Sequence, residues 1–186
     1  ARGVVAKQAV TLTARDGLDL AAALSLPRAV PDKGLPTVLL VSDHSYTAIN
    51  LDFEPMTQFL VNRGYAVLQV AARGFSTHGS SPLNPTFGRW GMELQDDVTA
   101  AARWAIARGT ADPRRICIVG AGYGGYAALS GGLRRPGLYK AVVSVAGVSD
   151  LPEFLRFERT EDGEDSPVYQ YWLRTIGDPT ADAAAL

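Results

Sequence analysis

The spacing of hydrophobic positions changes along this chain, and each change marks a predicted strand or helix. Apolar residues alternate with polar ones on both sides of the Asp16-Gly17 pair, which predicts an antiparallel β-hairpin. Residues 38–41 are a continuous apolar run and residues 65–70 are apolar except for Gln69, as expected of strands that are buried on both faces of a sheet. Between these runs, residues 56–63 have helical spacing.

The second half of the chain continues this alternation of strands and helices. Apolar residues recur at helical spacing over 94–105, after a loop over 71–91 that is rich in glycine and proline. A hairpin followed by alternating helices and strands predicts an α/β fold with a mostly parallel sheet and right-handed crossovers. The remaining predicted elements are strands at 115–119 and 141–146, helices at 123–133 and 166–176, and a solvated acidic loop at 158–165.

Length and charge narrow the class of protein. The chain has 186 residues, 47% of them hydrophobic, which predicts one globular domain over residues 1–186. Lysine and arginine number 18 against 19 acidic residues, so we expect neither a nucleic acid nor an anionic membrane surface as a partner. No apolar run reaches the roughly 18 residues that span a bilayer, and no signal segment opens the chain. The sequence does not determine the location of the protein, with only a weak preference for the cytoplasm.

Cysteine and histidine are too few for disulfide or metal chemistry. Cys117 is the only cysteine, which excludes an internal disulfide, and we expect it to be an inert core residue. The two histidines, His44 and His78, cannot form a histidine-rich zinc centre. The sequence therefore predicts no metal and no cofactor.

A glycine-rich segment over residues 120–125 joins a predicted strand to a predicted helix. Gly120, Gly122 and Gly125 fit the Gly-x-Gly-x-x-Gly fingerprint of a dinucleotide-binding loop. That fingerprint needs an acidic residue at the end of the next strand to hold the ribose. Here the next strand ends in Ala146-Gly147, and Asp150 comes late, so the dinucleotide interpretation is weakly supported.

The same segment also fits a nucleophile elbow, Gly-x-Ser-x-Gly, in which a sharp turn raises a serine above the sheet. Gly120, Gly122 and Gly124 then occupy the first, third and fifth positions, and the serine is absent. The residue at the apex of such a turn is strained by about 1–3 kcal/mol unless it is glycine. A glycine at position 122 would therefore preserve the turn and remove the attacking oxygen.

Longer stretches carry a more specific resemblance. In order and spacing, the chain from about residue 10 onward resembles the catalytic domain of the prolyl oligopeptidase family of serine peptidases, which has an α/β-hydrolase fold. The family's segment Gly-x-Ser-Tyr-Gly-Gly-Tyr-Ala-Ala-Leu corresponds to residues 120–129. The stretches that carry the resemblance are LPTVLLV (35–41), NRGYAVLQV (62–70), WGMELQDDVTAAARWAIARG (90–109), DPRRICIVGAGYGGYAAL (112–129), LYKAVVSVAGVSDL (138–151) and GDPTADAAAL (177–186).

The resemblance implies roles for individual residues. Gly122 occupies the place of the nucleophilic serine, and the backbone N–H of Tyr123 becomes one oxyanion donor. The family's His-Gly-Gly-Pro-like turn is replaced by residues 42–45, which makes Ser42 the candidate second oxyanion position. His44 and Arg73 are candidate substrate-binding residues. In this fold the triad acid and histidine follow the serine in the chain, so we expect them beyond residue 186, with the last strands of the sheet.

Three functions remain open at this point. The first is part of a serine hydrolase acting on peptide or ester bonds, inactive as given because of Gly122 and the missing acid and histidine. The second is a natural non-catalytic relative that binds peptides or partners, and the third is a dinucleotide-binding domain. For the first two, the strand at 141–146 would have an open edge, to be covered by the missing C-terminal segment, a second chain or a second copy.

Four other residues are expected to be structural. Asp96 and Asp97 are neighbours on a predicted helix and point about 100° apart, so helix-dipole and loop-anchoring roles suit them better than a shared acid-base site. Trp90 and Trp104 are expected to be packing residues.

Overall fold

The computed structural model describes residues 3–41, 49–73 and 90–178, and they form strands and helices in alternation after an initial hairpin. The strands are β1 (Gln8–Thr13), β2 (Asp19–Ser25), β3 (Leu35–Val41), β4 (Ala66–Val70), β5 (Ala111–Ala121) and β6 (Ala141–Val145). The helices are α1 (Pro55–Val61), α2 (Glu93–Ala107), α3 (Tyr123–Arg134), α4 (Leu151–Asp162) and α5 (Pro167–Ile176).

The strands form a six-stranded mixed sheet in the order β1-β2-β4-β3-β5-β6. Strands β1 and β2 pair as the predicted antiparallel hairpin, and β2 joins it to β4 in antiparallel fashion. The remaining pairs, β3 with β4, β3 with β5 and β5 with β6, are all parallel. The predicted α/β class with a mostly parallel sheet is therefore confirmed.

Side-chain alternation along the parallel strands separates the core into two layers. Leu39 and Leu68 belong to the larger cluster, which also contains buried residues of α2, α3, α4 and α5. Their neighbours Leu40 and Val67 point to the other face, where they pack with Val61 of α1. Both faces of the central strands are thus covered, which explains their continuous apolar sequence.

Strand β5 is longer than the predicted strand. Its first part pairs with β3 out of register with the rest of the strand. Leu35 pairs with Ala111 and Thr37 pairs with Ile116, so the register shifts between the two pairs. Asp112 accepts a hydrogen bond from the backbone N–H of Arg114 at 2.9 Å, which forms a local turn in the shifted segment.

The predicted acidic loop at 158–165 is wrong over most of its length, because α4 continues to Asp162. Asp150 caps this helix by accepting a hydrogen bond from the backbone N–H of Glu153 at 2.8 Å. Leu151 and Leu155 are buried on one side, and the charged residues of the helix lie on its solvent side. The charge density of this segment belongs to an amphipathic helix.

Candidate active site

The turn between β5 and α3 consists of a single residue. Strand β5 ends at Ala121 and α3 begins at Tyr123, so Gly122 alone reverses the chain direction. Its backbone has φ 53° and ψ −120°, a left-handed conformation that side chains other than glycine adopt at a cost. The expected sharp ascent from sheet to helix is present at residue 122.

Hydrogen bonds fix the turn on both sides. The N–H of Gly122 donates to the carbonyl oxygen of Val145 in β6 at 3.0 Å, which attaches the turn to the neighbouring strand. The carbonyl oxygen of Gly122 accepts from the N–H of Tyr126 at 3.1 Å, the first hydrogen bond of α3. Position 122 is therefore held by both the sheet and the helix.

Close backbone contact requires glycine at the start of the turn. A Cβ on Gly120 would lie 2.2 Å from both the carbonyl carbon and the carbonyl oxygen of Gly124. Real Cβ atoms do not approach backbone this closely, so any side chain at position 120 would force the strand and the helix apart. The first glycine of the elbow pattern is needed for packing.

Aromatic rings surround the first turn of α3. The buried ring of Trp90 lies 4.7 Å from the ring of Tyr123 and 5.3 Å from that of Tyr126. The ring of Trp172 in α5 also packs against Trp90, with a centroid distance of 6.1 Å, which confirms a packing role for Trp90. Burial raises the pKa of the Tyr123 hydroxyl, so this side chain is neutral at physiological pH.

The topology places this turn at the carboxyl edge of the sheet, where the strand order reverses. Strands β3 and β5 are adjacent, and the chain leaves them in opposite directions along the sheet. Helix α1 connects β3 to β4 on one side of this pair, and α3 connects β5 to β6 on the other side. Val41 pairs with Gly120, so the chain leaving β3 starts next to the elbow. Ligands of open α/β sheets bind at such a switch point. Ser42, His44 and His78 lie outside the described residues.

Arg73 follows β4 and forms an ion-pair network. Its Nη2 and Nε donate to the two carboxylate oxygens of Asp97 at 2.7 and 2.9 Å, and Nη1 donates to Asp16 at 2.7 Å. Asp97 is fully buried and also accepts from the backbone N–H of Arg73 at 2.8 Å. These bonds raise the pKa of Arg73 and lower that of Asp16. The predicted substrate contact of Arg73 stays a prediction.

The two neighbouring aspartates have separate partners, as their helical spacing predicts. Asp97 anchors the chain at Arg73, which is the expected loop-anchoring role. Asp96 pairs instead with Arg135 at 2.7 Å, and both of these side chains are about a third exposed. The Arg73 network is the part of this region that sequence reasoning missed, because no spacing in the sequence indicates which acid an arginine will meet.

Among residues 3–41, 49–73 and 90–178, no group of three potential metal ligands converges. No helix within those ranges is both long and apolar enough to cross a membrane. Cys117 is half-buried in β5 and is a free thiol.

The residues after the next strand discriminate between the two interpretations of the glycine-rich turn. A dinucleotide fingerprint needs an acidic residue at the end of that strand, whereas β6 ends at Val145 and Asp150 instead caps α4. The sheet order, the hairpin and the one-residue turn define an α/β-hydrolase fold, and a puromycin hydrolase structure superposes with a TM-score of 0.80 over 97% of this chain at 24% identity. Residues 51–181 match the model of the prolyl oligopeptidase family, and the chain belongs to that family.

Two curated relatives support the assignment over different lengths. Dipeptidyl aminopeptidase BIII of Pseudoxanthomonas mexicana is 32% identical over 188 residues, an alignment that covers 94% of this chain and 26% of that protein. Dipeptidyl peptidase family member 6 of Caenorhabditis elegans is 33% identical over 128 residues, covering 69% of this chain and 17% of that protein. The chain thus spans about a quarter or less of the length of these relatives.

A solved structure of a puromycin-hydrolysing peptidase from Mycobacterium tuberculosis is also similar. It has a TM-score of 0.80 and 27% identity, and the match covers 96% of this chain and 28% of that one.

Proposed function

We propose that this chain is part of the catalytic domain of a prolyl oligopeptidase-type serine hydrolase and that Gly122 occupies the position of the nucleophile. In this proposal residues 1–186 belong to one α/β-hydrolase domain, and the triad acid and histidine lie on later polypeptide or on a second chain. The substrate class is a peptide or ester, and the chain alone has no hydrolase activity.

The backbone of Gly122 carries the proposal. Its φ of 53° and ψ of −120°, between the last residue of β5 and the first residue of α3, are the strained conformation expected at a nucleophile elbow. The glycines at positions 120 and 124 complete the spacing, and the membership of the family supplies the chemistry that such a turn serves.

The proposed chemistry is acyl transfer, in which each position has one task. A serine oxygen at position 122 would attack the carbonyl carbon, and a histidine would take its proton. The N–H of Tyr123, as the first residue of α3, is the proposed oxyanion donor, with Ser42 as the second oxyanion position. Loss of the nucleophile in a comparable triad lowers turnover by roughly 2 × 10⁶.

A serine substitution tests this proposal. In the polypeptide that the complete gene encodes, we expect Gly122→Ser to become labelled covalently by a fluorophosphonate, and the unsubstituted protein to stay unlabelled. The same substitution in the 186-residue chain should give no labelling, since the histidine is absent. Gly122→Ala is the matched control, because it introduces the same backbone strain of about 1–3 kcal/mol without an oxygen.

The outcome is read from protein that is folded by circular dichroism. A folded Gly122→Ser full-length protein that does not react would contradict the proposed position of the nucleophile. Labelling of the serine variant of the 186-residue chain would contradict the proposed location of the acid and histidine.

Gly122 itself favours a second candidate, a natural relative that binds peptides or partner proteins without hydrolysing them. If the native gene encodes glycine at this position, saturable peptide binding with no cleavage is the expected behaviour. Failure of Gly122→Ser to restore labelling, together with such binding, would favour this candidate over the first.

We further propose that additional polypeptide covers the open edge of β6. Val142, Val143 and Val145 are 37%, 44% and 55% exposed, although their sequence is that of an internal strand. A later segment of the same protein, a second chain or a second copy could pair with this edge.

A further inference from the structure

A pocket of about 470 Å³ lies between the hairpin, α2 and the residue that follows α3. Thr11 and Arg15 line it from the hairpin, Arg103 and Trp104 line it from α2, and Arg135 lines it from the segment after α3. Its volume is within the range of small-molecule sites. None of its lining residues belongs to the elbow at 120–125.

The charge of this pocket is positive and incompletely compensated. Three arginines line it, Arg15, Arg103 and Arg135, against a single carboxylate, Asp96. That carboxylate is occupied by Arg135, whose Nη2 donates to it at 2.7 Å. Within the described ranges, the side chains of Arg15 and Arg103 form no ion pair or hydrogen bond.

A second observation also indicates a missing acceptor. The Nε of Arg135 is buried and has no hydrogen-bond partner among the described residues. A buried donor without a partner costs free energy, so an acceptor in the pocket would stabilise it. Guanidinium groups match carboxylates in shape because their N–H donors form a planar fork.

The rest of the pocket wall is apolar, which narrows the ligand further. Leu12, Ala100 and Ala107 provide aliphatic surface, and the half-buried Trp104 provides a flat aromatic one. A bare inorganic anion would leave this surface in contact with water, whereas a ligand with an apolar body would cover it.

We propose that this pocket binds a small organic acid, with its carboxylate among the guanidinium groups of Arg15, Arg103 and Arg135 and a flat apolar body against Trp104. The site is separate from the elbow and does not depend on the proposed hydrolase chemistry. Phenylacetate has both required parts and is the probe for testing it.

The chain contains three tryptophans, so its ¹⁵N-labelled form should show three indole N–H signals, and Trp104→Phe assigns the one in the pocket. We expect phenylacetate to shift that signal saturably, with half-saturation at or below about 1 mM. Phenylacetamide, which has nearly the same shape without the charge, should bind at least about tenfold more weakly. Inorganic phosphate should be weaker as well, because it lacks the apolar body.

Two substitutions test whether Arg15 and Arg103 contribute to phenylacetate binding. Arg103→Gln and Arg15→Gln replace exposed side chains, and each should weaken phenylacetate binding about tenfold. Arg114→Gln is the matched control, since Arg114 is 87% exposed on a different surface and should leave binding unchanged. The two other indole signals report whether each variant is folded.

The absence of a saturable shift would overturn the proposal, as would equal affinity for phenylacetamide or for phosphate. An equal loss in Arg114→Gln would also overturn it, because the effect would then be a general one of net charge.

Discussion

The two ends of the sheet are held together by different forces. At the hairpin end, polar side chains connect segments distant in sequence: Arg73 joins Asp97 of α2 to Asp16 of the β1–β2 turn, and Lys7 pairs with Glu54 at 2.9 Å. At the β6 end, the strand sequence AVVSV has no ionisable side chain, and glycines allow close packing: a Cβ on Gly125 would lie 2.7 Å from the Cα of Gly147, and one on Gly132 would lie 2.7 Å from Val142.

The two edge strands also differ in their pattern of buried and exposed residues. In β1 the inward residues Val10 and Leu12 alternate with the exposed Thr11 and Thr13, which is the pattern of a strand that faces water at one side. In β6 the sequence AVVSV has no such alternation, yet most of the strand is exposed. The hairpin edge therefore has the sequence of an edge strand, whereas the β6 edge has the sequence of a strand with neighbours on both sides.

The largest effect should come from the buried carboxylate at the hairpin end. Asp97→Asn removes the charge that faces Arg73, and breaking a buried pair of this kind costs about 3–5 kcal/mol. Chemical denaturation of the variant and of the unsubstituted chain measures the difference. If polar connections stabilise this end, the midpoint must fall substantially.

The adjacent residue provides the matched control for that experiment. Asp96→Asn breaks an ion pair in which both side chains are about a third exposed, so the expected loss is below about 1 kcal/mol. Equal losses of stability in the two variants would contradict a special role for the buried Arg73–Asp97 pair, because the effect would then come from the charge of the helix.

Next in size is a steric change near the β6 end. Gly120→Ala places a Cβ 2.2 Å from the backbone of Gly124, and the repacking is expected to cost about 3 kcal/mol. Gly163→Ala is the control for steric contact: unlike Gly120, Gly163 has a positive φ of 87°, so alanine there is expected to cost about 1–2 kcal/mol of backbone strain, but nothing lies within 4 Å of its Cβ. A smaller loss at position 120 than at 163 would contradict close packing of the elbow.

The sequence predicts the features that depend on local patterns. The hairpin, the parallel strands and the turn at Gly122 follow from alternation, continuous apolar runs and glycine spacing, and the structure contains them within a few residues of the predicted bounds. The family resemblance, which rests on long ordered stretches, is confirmed by the match over residues 51–181.

The features that were missed depend on contacts between distant segments or on caps. The sequence pattern predicts a loop for the acidic stretch in α4 because its many charges outweigh the two buried leucines. Asp150 and Glu153 nevertheless have the spacing of a helix-capping pair. The Arg73 network required three segments to meet, and only the fold places them together. Helical spacing could show that Asp96 and Asp97 diverge, but not that Asp97 would be the buried one.

A smaller effect is expected when the apolar edge of β6 is given a charge. If the exposed valines attract a second copy of the 186-residue chain, Val143→Lys should weaken self-association at least about tenfold, roughly 1.4 kcal/mol. Sedimentation over a range of protein concentrations measures this. Ala9→Lys adds the same charge to the exposed part of β1 and should leave association unchanged. A chain that is monomeric at all concentrations would contradict the edge proposal for a second copy.

The smallest predicted effect is a pH-dependent change in stability at the hairpin end, where Glu54 pairs with Lys7. Glu54 is partly desolvated, which by itself would raise its pKa, but hydrogen bonds from Lys7, Thr57 and Gln69 together lower it below the ordinary glutamate value. A carboxyl with a lowered folded-state pKa stabilises the fold above its unfolded value of about 4.3, and this contribution is lost as the pH falls through the folded-state value. Glu54→Gln should therefore cost on the order of 1 kcal/mol at neutral pH and progressively less below about pH 4. Thermal unfolding of both proteins across that range measures the change, and parallel curves would show that Glu54 does not connect the N-terminal segment to α1 through its charge.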